Sequence, residues 1–179
     1  MANIFVIVGG KTSGKDEIIR AVYELGSLHA QIIPKFTSRN RCLEDGREIK
    51  CNYIFEEEDE KKKGYKVRSQ EDDREYFCDI VYKKNEIYYG INTHQIWEGL
   101  RRNRFQVIVV SELEAINSLR KIFGSLVKLI YIYGQDDEEN SLEFQMFVQY
   151  FDFFDHVLIY ESRKEDLYDQ LFRLFRAYE

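Results

Sequence analysis

The stretch Ile4-Phe5-Val6-Ile7-Val8-Gly9-Gly10-Lys11-Thr12-Ser13-Gly14-Lys15-Asp16-Glu17-Ile18-Ile19 decides the fold. From Asn3 to Val8 it is a continuous β-branched and aromatic run, which reads as a buried strand. Gly9-Gly10 ends that strand. From Lys15 to Leu25, the residues Ile18, Ile19, Val22 and Leu25 recur at helical spacing, and Gly26 supplies a stop. The connecting residues fit G-x-x-x-x-G-K in the context the spacing requires, with a strand before and a helix after. Glycines let the backbone curl so that successive N–H groups point inward at phosphate oxygens. The helix N-terminus adds partial positive charge, and Lys15 reaches the terminal phosphates of a nucleotide as a point charge. Gly9, Gly10, Lys11, Thr12, Ser13, Gly14, Lys15 and Asp16 are therefore the expected phosphate cradle. Asp16 stands where Ser or Thr normally holds Mg²⁺. Its carboxylate either ligates the metal, directly or through water, or simply favours the helix start.

Working outward, Gln31–Phe36 reads as a second strand. Order of the same kind returns after Tyr89, with a helix over Thr93–Arg102, a strand over Phe105–Val110 and a helix over Glu112–Phe123. A strand over Val127–Tyr133, a helix or lid segment over Ser141–Tyr150, a strand over His156–Tyr160 and a closing amphipathic helix over Lys164–Tyr178 follow. Strands alternating with helices predict an α/β fold, a parallel sheet flanked by helices with right-handed crossovers. Between Thr37 and Tyr89 the chain is polar, with charge clusters at Glu56–Lys63 and Glu71–Glu75, and reads as an inserted subdomain of short strands and loops. The expected organisation is one domain over 1–179: a core of 1–36 and 91–179, an insertion of 37–90 and a lid remnant of 134–154.

Composition bounds the function. The 179 residues carry a net charge of −6, so no basic footprint for nucleic acid exists and an anionic ligand must be held by local structure. The apolar runs are too short to span a bilayer, and no charged leader with a cleavage site precedes the first strand. The expectation is a cytoplasmic protein acting on small molecules, with no nucleic-acid or membrane partner. Cys42, Cys51 and Cys78 form no CxxC pair and are expected to be reduced thiols.

A second cluster runs Thr37-Ser38-Arg39-Asn40-Arg41-Cys42-Leu43-Glu44-Asp45-Gly46, followed by Tyr53-Ile54-Phe55, Tyr88-Tyr89-Gly90 and the stretch Val107 to Ala115, in which a strand ends in acidic residues. Two arginines near a strand end can clamp a phosphate, a tyrosine hydroxyl can orient it, and Glu44 can accept from a guanine N–H edge. On residue chemistry alone Arg39 and Arg41 serve equally as surface ion-pair partners, and Tyr53, Phe55 and Tyr89 as packing aromatics. With the phosphate loop, these blocks follow the order and approximate spacing of guanylate kinases, and the sequence resembles that family across nearly its whole length. The resemblance implies a phosphotransferase using ATP and Mg²⁺. It assigns the acceptor phosphate to Arg39, Arg41, Tyr53 and Tyr89, and guanine to Glu44 with Asp79. It also sets Glu112 near the family's acidic position after the central strand, and gives Lys15, Arg39 and Arg41 the catalytic work. The chain departs from the family pattern at Lys35 and Ile91, where hydroxyl residues are usual, and in the shortened spacing between the arginines.

The lid departs most. Phosphoryl transfer needs positive charge around the migrating group, yet Gly134 to Ser162 holds no Lys or Arg and several Asp and Glu. Arg101, Arg102, Arg104 and Arg120 are candidate substitutes. Leu142, Phe144, Phe147 and Phe151 are expected to pack. The function expected is ATP-dependent phosphorylation of a nucleoside monophosphate, GMP or dGMP. Two alternatives stay open: a weakly catalytic or inactive module binding a nucleotide or protein, and a kinase of another small phosphorylated acceptor.

Overall fold

The first strand of the chain, β1 (Ile4–Gly9), is the central member of a five-stranded parallel sheet. β2 (Ala30–Ile32), β10 (Phe105–Val109), β11 (Val127–Gly134) and β12 (His156–Tyr160) complete it in the order β12-β11-β1-β10-β2. This computed structural model describes residues 2–10, 13–26, 29–40, 49–57, 64–134, 141–161 and 163–179. The unbroken apolar run of β1 is explained by burial on both faces. Phe5 and Ile7 meet Ile18, Ala21 and Val22 of α1 (Lys15–Glu24) and Leu167, Leu171 and Phe175 of α5 (Lys164–Arg176). Ile4, Val6 and Val8 meet Ile96 of α2 (Thr93–Arg101) and Ile116 and Leu119 of α3 (Leu113–Phe123) on the other side. The fold is thus the α/β arrangement of a parallel sheet flanked by helices.

The expected strand Gln31–Phe36 is two strands. β2 ends at Ile32, and β3 (Lys35–Thr37) begins after Pro34 and joins a different sheet. Proline has no N–H to donate to a ladder, so the chain leaves the central sheet there. β3 pairs with β4 (Ile49–Lys50) and β9 (Ile87–Ile91), and β8 (Ile80–Lys84) closes this four-stranded sheet. β5 (Tyr53–Glu57), β6 (Tyr65–Ser69) and β7 (Glu75–Cys78) form a third, antiparallel sheet. Ile80, Tyr82 and Ile91 bury into the core beneath α3, which seats the second sheet on the first. Phe36, Tyr53, Val67 and Cys78 make a small core of their own between the second and third sheets.

Two expectations fail at the level of single residues. In α4 (Leu142–Gln149), Phe147 stacks on Tyr131 at 4.2 Å and Phe144 lies against Tyr133, as packing residues do. Leu142 and Phe151, however, are 76% and 60% exposed. Phe144, Met146 and Phe147 form the face of α4 turned to the core; Leu142 starts the helix off that face, and Phe151, beyond the helix, meets Phe147 edge-on at 5.4 Å. Among the cysteines, Cys78 is free and buried, with burial pushing its thiol up to about 12, whereas Cys51 is disulfide-bonded.

The open side of β12 is closed at one residue. The Gln170 side chain of α5 accepts from Ile159 N–H at 2.9 Å and donates to Ile159 C=O at 2.8 Å, in place of a neighbouring strand.

Candidate functional site

The expected phosphate loop begins where β1 stops, and its described residues, Gly9, Gly10 and Ser13 to Asp16, lie between the carboxyl end of that strand and the first turn of α1. Gly14 has φ +90°, a left-handed conformation that side chains with a Cβ resist, and a Cβ there would lie 2.8 Å from the Tyr160 ring. A Cβ on Gly9 would collide with Ser13 Oγ, so the turn closes only with glycine at both positions. Ser13 is fully buried and its hydroxyl donates to Gly10 C=O at 2.9 Å. Lys15 Nζ donates to Gly9 C=O at 2.5 Å, which keeps the ammonium over the loop at the strand end. Asp16 is exposed in the first turn of α1. Lys11 and Thr12 lie outside the described residues.

Lys15 opens onto a cleft of about 380 Å³ between the central sheet, the second sheet and α4. Its charged lining comes from six places: Lys15 of α1, Lys35 of β3, Arg39 beyond β3, Lys84 of β8, Glu112 just before α3 and Glu143 of α4. Tyr89, stacked on Tyr82 at 5.4 Å, forms part of the wall. Cations outnumber carboxylates four to two among these lining residues, in a chain whose net charge is −6. The excess is local and suits a dianion better than a neutral ligand.

Lys84 Nζ lies 2.7 Å from Glu112 and 3.8 Å from Glu143. Burial pushes the Glu112 carboxyl up, but the hydrogen bond and charge of Lys84, joined by the charge of Lys35, outweigh it and hold the group below its ordinary value. Burial likewise works against the Lys84 ammonium, and Glu112 with Glu143 outweighs it, so its pKa is raised. Lys35 is only 7% exposed, an amine at the cleft wall whose charge Glu112 faces.

Of the residues expected at the acceptor site, Arg39, Tyr89 and Glu112 come together with Lys15 in this cleft. Arg41 and Glu44 lie outside the described residues. Tyr53 does not reach the cleft. It packs between Phe36 and Tyr76 in the small core, where burial raises its hydroxyl pKa. Asp79 is committed elsewhere too: one carboxylate oxygen accepts from Thr93 N–H at 2.9 Å and the other from the Thr93 hydroxyl, which holds the start of α2. None of the candidate substitute arginines lines the cleft. Arg120 donates to Phe153 C=O at 2.5 Å, Arg101 to Trp97 C=O at 3.3 Å, and Arg102 borders a separate hollow beside Phe105 and Tyr178.

Lys84 is a cleft residue that the sequence reading does not single out, and Glu143 enters that reading only as one of the acidic residues of the lid segment. A signal for Lys84 was present: Ile80, Tyr82 and Lys84 alternate along one strand face, and the first two are buried. Lys35 was noticed only as a departure from the family pattern.

No protein-family model matches the sequence, and no curated protein sequence matches it. Among solved structures, the chain is similar to the crystal structure of guanylate kinase from Anaplasma phagocytophilum, with a TM-score of 0.64 and 12% identity over 98% of this chain and 85% of that one. The likeness is one of fold.

Proposed function

We propose that the chain is an ATP-dependent kinase of a nucleoside monophosphate, GMP or dGMP, transferring the γ-phosphoryl group to the acceptor's phosphate. The observation that carries this reading is that Lys15 of the glycine-rich loop, Lys35, Lys84 and Tyr89 of the second sheet, and Arg39 just beyond β3 line one and the same cleft. A donor polyphosphate and an acceptor phosphate held at the two ends of such a cleft are brought within reach of each other, which is most of what phosphoryl transfer asks of a protein.

The donor is ATP on this reading. Gly9 and Gly14 are packed so closely against Ser13, Ile132 and Tyr160 that only glycine permits the turn, and the turn leads straight into the N-terminus of α1, where phosphate oxygens are favoured. Lys15, released from Gly9 C=O, stabilises charge on the β- and γ-phosphates. Mg²⁺, when bound, neutralises charge between those phosphates. Asp16 is the loop carboxylate available to it, directly or through water, and a metal of this kind keeps most of its waters and needs few protein ligands. Arg39 and the lysines of the insertion hold the acceptor while one of its phosphate oxygens attacks the γ-phosphorus. The bond from that phosphorus to the bridging oxygen breaks, its electron pair leaves with ADP, and the acceptor becomes a diphosphate. Purified protein with Mg²⁺-ATP is expected to form ADP in the presence of GMP or dGMP at ordinary kinase rates, roughly 1–100 per second. A panel of GMP, dGMP, AMP, CMP and UMP that yields no acceptor-dependent ADP would sink the reading.

A second reading has its own observation. Glu143 brings a carboxylate from α4 to the cleft where positive charge is wanted, and no Lys or Arg occurs between Gly134 and Ser162. A module that binds nucleotide without turnover would look like this, and would bind GMP in the same titration while forming no ADP. A third follows from Lys35, whose charge suits another phosphorylated acceptor, such as a sugar phosphate, over a purine base.

A further inference from the structure

The β8–β9 hairpin turns on Asn85 and Glu86, whose φ angles of 49° and 62° are both left-handed. A two-residue turn of that hand matches the twist of its strands and fixes their register. Lys84 precedes the turn, opposite Ile87. Buried Ile80 and Tyr82 share its face, so Lys84 is aimed at the cleft, while Lys83 on the opposite face pairs with Glu86 at 2.6 Å. Turning Lys84 away would mean slipping the strand by one residue and exposing both anchors.

We infer that Lys84 determines specificity for a phosphorylated acceptor: it is the cation the inserted hairpin presents to the acceptor's phosphate, restrained by Glu112 and Glu143 while the cleft holds no anion. The inference rests on the reading of this cleft as an acceptor site. The two carboxylates are unequal partners, at 2.7 Å and 3.8 Å, and belong to different elements. An ammonium has three donors, so Lys84 can keep its short bond to Glu112 and exchange the looser Glu143 for a phosphate oxygen. A phosphomonoester carries nearly two negative charges and three acceptor oxygens, and so competes well with a single carboxylate at that distance. Glu143 is then a competitor, and Lys84 contributes from the insertion the positive charge that the 134–162 segment lacks.

The roles differ in sign, and that is testable. GMP, ribose 5-phosphate and guanosine are titrated calorimetrically into the wild type, Lys84→Met, Lys84→Arg and Glu143→Gln, with a non-hydrolysable ATP analogue as reference and melting temperatures recorded. Lys84→Met is expected to weaken both phosphomonoesters about tenfold or more while leaving guanosine and the ATP analogue within about twofold. Lys84→Arg retains the cation and most of the affinity. Glu143→Gln tightens the phosphomonoesters a few-fold. A purely structural latch gives weaker binding in both Lys84→Met and Glu143→Gln, and that result, or phosphomonoester affinity unchanged in Lys84→Met, overturns the inference. If Lys84→Met does not fold, the sign of Glu143→Gln decides. If the wild type binds the ATP analogue but neither phosphomonoester, the acceptor-site reading itself fails and takes this inference with it. If the wild type binds them and only the variants disagree, the inference alone fails.

Discussion

The two ends of the cleft are made of different materials. On the proposed reading the donor end works through backbone amides, specified by glycines within seven consecutive residues of the sequence, with one lysine added. At the acceptor end they are side chains, delivered singly by β3, β8, β9 and α4 and held by long-range packing. A backbone-made site is written contiguously and tolerates little change at its glycines. A side-chain-made site is written at scattered positions and is open to substitution one charge at a time. That contrast fits a chain with an unbroken G-x-x-x-x-G-K pattern at one end of the cleft and a mixed set of lysines and carboxylates at the other.

The comparison can be broken at either end. The largest effect is expected at Lys15: Lys15→Ala should lower ADP formation with GMP about 10²- to 10³-fold, with little change in melting temperature. Turnover equal to the wild type would mean the loop is not the donor site. Gly14→Val is next. It forces a branched side chain into a left-handed backbone and against Tyr160, and should destabilise the fold by about 1–3 kcal/mol or more in urea unfolding, with loss of nucleotide binding. An unchanged midpoint would show that the loop does not need this geometry.

Asp79→Ala sharpens the other side. Losing its bonds to Thr93 should cost about 1 kcal/mol of stability, as helix-cap losses do, and leave the preference for GMP over AMP unaltered. Collapse of that preference would return Asp79 to a role in reading the base. The smallest effect is the pH dependence of the Lys84–Glu112 pair. The Glu112 carboxyl is held below its ordinary value of 4.5, so its contribution is complete above that value and fades as pH falls through the lower folded one. Lys84 is raised above 10.5, so its contribution is complete below that value and fades as pH rises through the higher one. The stability gap between the wild type and Lys84→Met should be flat from roughly pH 5 to 9 and narrow outside it. A gap that widens in acid would contradict the pairing.

The same contrast governs what could be read from sequence. β1, the loop and α1 were legible because strand period, glycine spacing and helix period agree within about two dozen residues. The later helices and strands of the core were legible to within a few residues for the same reason. The strand expected over 31–36 breaks in two because Ile32, Ile33 and Phe36 flank Pro34 with strand-forming residues on both sides, and only the change of sheet reveals the break. Tyr53 and Asp79 matched family positions by order along the chain. Yet what a side chain touches depends on residues far away, here Phe36 and Tyr76 for one and Thr93 for the other. Lys84 followed a strand alternation that a polar composition disguised.

A parallel sheet can in principle keep growing at its rim, because each strand leaves a row of groups for the next. Val157 and Ile159 on that rim are 42% and 48% exposed, and Tyr133 beside them 38%, so a greasy strip runs along the last strand. Gln170 answers with an imitation: one carboxamide presents to Ile159 the donor and acceptor that a sixth strand would bring. At Ile159 the rim offers no open backbone donor or acceptor, because a single amide counterfeits the missing neighbour there.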